Sequence, residues 1–166
     1  MQERMNARRA SMLAARALAT AVMLVSPPLA AEVHGKARIL DGDTLEVGGQ
    51  RFRLYGIGAP ELGQICHRAD REYACGKVAR AVLWALVGGR EVSCAPVSVA
   101  RDDATAAICT AGNTSLNQGM VAAGWALADP PGVVPYAQLQ RVAKAARRGL
   151  WTSDFDPPEA RRRKPE

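Results

Sequence analysis

Aromatic residues are scarce in this chain: two phenylalanines, three tryptophans and three tyrosines make up 5% of its 166 residues. Few stacking platforms are therefore available. There are two histidines, His34 and His67, and no Cys-x-x-Cys pair among four cysteines. A zinc site thus has little support, and both histidines read as plain surface residues. A long apolar span is missing as well. Ala17 to Val25 is about half of the roughly 20 residues a membrane crossing needs. A basic face is also missing. The formal net charge is +6, but Arg4, Arg8, Arg9 and Arg16 lie in the first 31 residues and Arg161 to Lys164 in the last six. What remains between them is nearly neutral. Charge alone does not point to nucleic acid. No internal repeat is visible.

What is present is enough chain for one domain with a real core; 48% of the residues are apolar. Residues 1–31 have the pattern of a secretory signal peptide. A basic start ends at Arg16, the short apolar stretch follows, Ser26-Pro27-Pro28 breaks it, and Leu29-Ala30-Ala31 offers small residues for cleavage. The expected organisation is a signal peptide at 1–31, a folded domain at 32–153 and a disordered basic tail at 154–166. An exported chain, periplasmic or secreted, is expected to form disulfides. Cys66, Cys75, Cys94 and Cys109 allow three pairings. We favour Cys66–Cys75, closing the loop after Glu61, and Cys94–Cys109, joining neighbouring strands.

The centre of the pattern is Asp41 to Glu61. Val33 to Leu40 is β-prone and leads into Asp41-Gly42-Asp43-Thr44. Thr44 to Val47 and Gln50 to Tyr55 flank Gly48-Gly49, a two-residue hairpin turn. Phe52 and Leu54 alternate with Arg51, Arg53 and Tyr55. The hairpin is expected to bring Asp43, Arg53 and Glu61 together. Ala59 to Tyr73 reads as a polar loop. From Gly76 the period turns helical, with Val78, Val82, Leu83, Leu86 and Val87 on one face and Gly88-Gly89 as the stop. Glu91–Cys94 and Ala106–Cys109 read as strands. Ser115 caps a second helix with Leu116, Met120 and Val121 facing inward. A third helix spans Tyr136 to Arg148 through Leu139, Val142, Ala143 and Ala146, with Gly149 ending it. Three strands, a helix, two strands and two helices predict an α+β fold. It is a mainly β, five-stranded barrel of the oligonucleotide-binding (OB-fold) type with three helices.

Asp41-Gly42-Asp43-Thr44 followed by Arg53-Leu54-x-Gly56-Ile57-x-Ala59-Pro60-Glu61 resembles the staphylococcal-nuclease (thermonuclease) family. So do Cys75-Gly76-x-x-Ala79, Leu116-Asn117, Val121-x-x-Gly124-Trp125-Ala126 and Ala145-x-x-Arg148-Gly149-Leu150-Trp151. The resemblance covers roughly Val33 to Trp151 and implies the same barrel. It also implies a Ca²⁺-dependent phosphodiester hydrolase acting on nucleic acid. In that reading Asp43 and the Ala59 backbone carbonyl bind Ca²⁺. Arg53 clamps the phosphate and Glu61 positions the water.

Two metal-binding or catalytic positions depart from the family pattern, and two tyrosine positions as well. Gly58 stands where the second Ca²⁺ carboxylate belongs. Ala104 stands where a second arginine belongs, after Asp102-Asp103, which would repel a phosphate; Arg101 is three residues away. The family's tyrosine before that arginine is Asp102, and Asp129 occupies another family tyrosine position. Losing one transition-state donor typically slows such reactions about 10²–10³-fold. An impaired or inactive hydrolase with weak Ca²⁺ affinity is therefore expected. The alternative is a non-catalytic module whose barrel face binds nucleic acid, a glycan or a protein. The mature chain is expected to be a monomer without a transmembrane segment.

Overall fold

The computed structural model describes residues 31–99, 104–129 and 135–155. The signal-peptide expectation, the Asp102-Asp103 pair with Arg101 and nearly all of the basic tail lie outside these residues. The expected barrel strands are present. They are β1 (Val33–Gly35) and β2 (Ala37–Ile39), separated only by Lys36, then β3 (Thr44–Val47) and β4 (Gln50–Leu54). Further on come β8 (Val92–Val99) and β9 (Thr105–Ala111). The ladder runs β1-β8-β9-β4-β3-β2. Its two ends are consecutive strands joined by one residue, so the bend at Lys36 wraps the sheet round on itself.

The alternation in β4 explains its place. Phe52 and Leu54 are buried while Gln50 and Arg51 are exposed. The β3–β4 hairpin pairs Leu45 with Phe52 and Thr44 with Arg53. The register is fixed because a one-residue slip would turn Phe52 and Leu54 out to water. The core gathers Leu45, Val47, Phe52 and Leu54 from the barrel with Leu83, Leu116, Met120 and Val121 from the helices.

The segment Ala59 to Tyr73, expected to be all loop, carries regular structure at its edges. Just before it, β5 (Ile57–Gly58) pairs antiparallel with β11 (Leu127–Ala128), and within it β6 (Cys66–Arg68) pairs with β7 (Arg71–Tyr73). These strands are two or three residues long, too short for an alternation pattern to reveal. β10 (Thr114–Ser115) is a similar short partner of β9.

Helix α1 (Cys75–Val87) ends on left-handed Gly88, as expected. Helix α2 (Leu116–Ala122) starts at Ser115, whose side chain accepts from the Gln118 N–H. Helix α3 (Tyr136–Ala145) is shorter than expected. It stops three residues before Arg148, and Arg147 has a positive φ of 49°. Gly149 instead opens a 3-10 turn at Gly149–Thr152. Val142 and Ala146, expected on the apolar face, are exposed; Ala143 is buried and Leu139 half-buried. Leu150 does pack back, in a small second core with Cys66, Cys75 and Leu127.

Both favoured disulfides are formed, Cys66–Cys75 and Cys94–Cys109. The second links directly opposed residues of β8 and β9. Contacts continue two residues into the expected tail. Asp154 exchanges backbone hydrogen bonds with His67, and the Phe155 ring meets Trp151 edge-on at 5.6 Å.

Candidate functional site

The Thr44–Arg53 pairing brings the Asp-Gly-Asp turn beside the end of β4. Gly42 is needed at the centre of that turn: a Cβ there would stand 2.7 Å from the Ala79 Cβ and 2.8 Å from that of Ala59. With helix α1 seated this closely, Asp43 is driven inward and is 3% exposed. A carboxylate so deep must be satisfied. Asp43 Oδ1 accepts from Thr44 Oγ1 at 2.9 Å, and Oδ2 accepts from the Ala59 N–H at 3.0 Å. Arg53 Nε lies 3.5 Å from Oδ1, an ion pair longer than a hydrogen bond.

Glu61 reaches the same cation from the far side. Its Oε1 is 4.0 Å from Arg53 Nη2, and its side chain is 47% exposed. The backbone beneath it is held firmly. The Gln64 N–H donates to the Glu61 carbonyl at 2.8 Å, and a Cβ on Gly76 would fall 1.8 Å from that same carbonyl oxygen. The first turn of α1, tied by Cys75 to Cys66, thus sets where Glu61 stands. The expected meeting of Asp43, Arg53 and Glu61 occurs.

The residue that the sequence reading left out of the site is Asp41. It was visible only as a turn former, two places before Asp43. Its Oδ1 accepts from the Asp43 N–H at 2.9 Å. Burial, with the charges of Asp43 and Glu61 adding to it, pushes its carboxyl up from 3.8 to about 6. Arg53 is pulled down by burial, but Asp43, Glu61 and Asp41 outweigh this and raise its pKa. Three carboxylates therefore surround one guanidinium. At neutral pH the cluster is net negative and repels a phosphate unless a further cation joins it.

The residues present do not fit a Ca²⁺ ion well. Calcium takes six to eight oxygen ligands, as a rule with several carboxylates. Asp43 is one carboxylate with both oxygens engaged. Gly58 is buried in β5 opposite Leu127 and brings no side-chain oxygen. The Ala59 N–H donates to Asp43 Oδ2. Among the described residues no three His, Cys, Asp or Glu side chains converge to hold a metal.

The second departure immediately precedes β9. β9 pairs parallel with β4, and Ala106 is the partner of Arg53. Ala104, two residues earlier, is 7% exposed. A methyl group stands there, at the start of the strand next to Arg53. Asp129 follows β11, and its N–H donates to the Gly56 carbonyl at 2.9 Å. Asn117 is structural. Buried on α2, it accepts from the Cys109 N–H and donates to the Tyr55 and Ala107 carbonyls, locking β9 to the end of β4.

A small barrel of the oligonucleotide-binding type thus carries acids and an arginine gathered at the mouth of its first hairpin. The chain belongs to the staphylococcal nuclease family: the family described as "Staphylococcal nuclease homologue" matches residues 51–153. The chain is similar to the "Succinoglycan biosynthesis protein ExoI" of Rhizobium meliloti (strain 1021), at 31% identity over 140 residues, covering 81% of this chain and 72% of that protein. It is also similar to an "Uncharacterized endonuclease" of Escherichia coli, at 36% identity over 146 residues, covering 79% of this chain and 84% of that one. A counterpart from Escherichia coli O157:H7 is 35% identical over the same length. The family supports a nuclease-like function.

Proposed function

We propose that this chain is an exported, nuclease-like barrel whose phosphodiester hydrolysis is strongly reduced or lost. The observation that carries the reading is Gly58. The second carboxylate of the family's metal site would project from this position, and the remaining carboxylate, Asp43, is buried and already satisfied. Ala104 adds to it, since the resemblance places a positive donor at that position. Without a second cation, Asp41, Asp43 and Glu61 outweigh Arg53 and disfavour a phosphate at the site. Arg53 and Glu61 then act as an ion pair that holds the hairpin to the following loop.

Export is supported by the pattern of residues 1–31 and by two disulfides. No helix among the described residues is long and apolar enough to cross a membrane.

A second reading, a barrel that binds without cleaving, is favoured by the same net-negative cluster. One relative is named for succinoglycan biosynthesis and not as a nuclease, which fits a barrel put to another use.

The test is incubation of the disulfide-bonded chain from Glu32 with denatured DNA, in millimolar Ca²⁺ and in chelator. We expect no more than trace cleavage over hours. Rapid Ca²⁺-dependent cutting that vanishes in Glu61→Gln would overturn the proposal.

A further inference from the structure

Outside the acidic site, the most exposed large apolar side chain among the described residues is Trp84, at 68%. On its own an exposed tryptophan is ordinary; what singles this one out is the groove beside it. Trp84 stands at one wall of a groove of about 620 Å³ between α1 and β2. Ile39 and Leu62 supply apolar lining, and Lys77, Arg80 and Arg38 supply cations. Arg80 is fixed in place because its Nε donates to the Ile39 carbonyl at 3.1 Å. Arg38 is paired with Glu46. Lys77 and Arg80 form no ion pair among the described residues, so their charge is available to an incoming anion.

We propose that this groove is a subsite for single-stranded nucleic acid. One base stacks on the Trp84 indole, and the flanking phosphates lie against Lys77 and Arg80. Two features select this occupant. An apolar lining with an exposed aromatic wall and two unpaired cations complements a base joined to phosphates. The groove also adjoins the candidate site along the chain. Its linings Ile39 and Leu62 lie two residues before Asp41 and one after Glu61. The proposal rests on the nuclease-family reading for its ligand class but not on any cleavage.

The test is binding of fluorescein-labelled oligo(dT) by anisotropy, with cleavage of the same samples followed on gels. Wild-type chain should bind. Trp84→Ala should bind about ten-fold more weakly or worse, the change that loss of one stacked base supports. Lys77→Gln should weaken binding and reduce the slope of log affinity against log salt by about 0.7, the value for one phosphate contact on a single strand. Arg51→Gln, which removes an exposed cation outside the groove, should bind like wild type. Both groove side chains are exposed, so unchanged thermal melting serves as the control for folding. The proposal is overturned if oligo(dT) does not bind, or if Trp84→Ala binds as well as wild type. It is also overturned if binding is lost in Arg51→Gln instead, or if polygalacturonate displaces oligo(dT) and binds more tightly in a Trp84-dependent way. Rapid cleavage with intact Trp84-dependent binding would contradict the impaired-hydrolase reading and leave the groove standing.

Discussion

Arg53 Nε lies 3.5 Å from Asp43 Oδ1, and the Asp43 side chain is almost wholly out of water. The pair follows directly from the register that sets Thr44 opposite Arg53. A buried carboxylate deprived of its cation is strongly destabilising, more than the pair itself stabilises. Arg53→Met should therefore lose about 3 kcal/mol of stability at pH 7. Urea denaturation measures it. A loss below about 0.5 kcal/mol, the level of a neutral surface change, would mean that the pair is incidental.

Asp41 gives the site a pH dependence of opposite sign to the usual buried ion pair. Its carboxyl titrates near 6 in the fold against 3.8 in a free chain. Between these values the folded chain holds a proton that the unfolded chain has released, so rising pH erodes stability through this group. The penalty is absent below about pH 4 and complete above about pH 6. Asp41→Asn keeps the Oδ1 acceptor for the Asp43 N–H and removes the charge. It should stabilise the fold by about 3 kcal/mol at pH 7 and leave it nearly unchanged at pH 3.5. Paired denaturation curves at the two pH values check this. An equal effect at both would show that charge is not the cause.

Gly76 fixes the position of Glu61 by contact, since its Cβ would fall 1.8 Å from the Glu61 carbonyl oxygen. Gly76→Ala must move either the helix start or the Glu61 loop. The expected loss is about 2–3 kcal/mol, in the range of overpacked positions. Exchange of the Gln64 amide, which donates to the Glu61 carbonyl, should speed up selectively. Uniform exchange across the barrel would show that the glycine serves the helix alone.

The Cys94–Cys109 bond closes a sequence separation of 15 residues. Replacing both cysteines with alanine should lower stability by about 3 kcal/mol, the chain-entropy value for a loop of this length. The shift in the guanidinium midpoint reads it. No shift would mean that β8 and β9 are held by their ladder alone.

The barrel was legible because its signals are local and repeated. Phe52 and Leu54 alternate with charged neighbours, Gly88 ends α1, and Ser115 caps α2. The meeting of Asp43, Arg53 and Glu61 was legible because one short hairpin carries all but the last. Asp41 was not, since the same residue serves a turn equally well, and only burial against Asp43 and Glu61 turns it into a site member. The β6–β7 pair escaped notice because three-residue strands carry no periodicity. The end of α3 was misplaced because Ala145 to Arg148 are all sound helix formers, and the change of course comes from a positive φ at Arg147. The Trp84 groove was invisible because it needs α1 and β2 side by side, and nothing local joins them.

The central claim is that the phosphodiester site is incomplete at Gly58 and Ala104. The most direct measurement compares cleavage of denatured DNA by wild type and by Gly58→Asp with Ala104→Arg, each in millimolar Ca²⁺ and in chelator. The account predicts at most trace cleavage by wild type. It predicts Ca²⁺-dependent cleavage raised at least about 10²-fold in the double variant, the scale on which one restored transition-state donor acts. Robust Ca²⁺-dependent cleavage by wild type, or a folded double variant as inert as its parent, would contradict it.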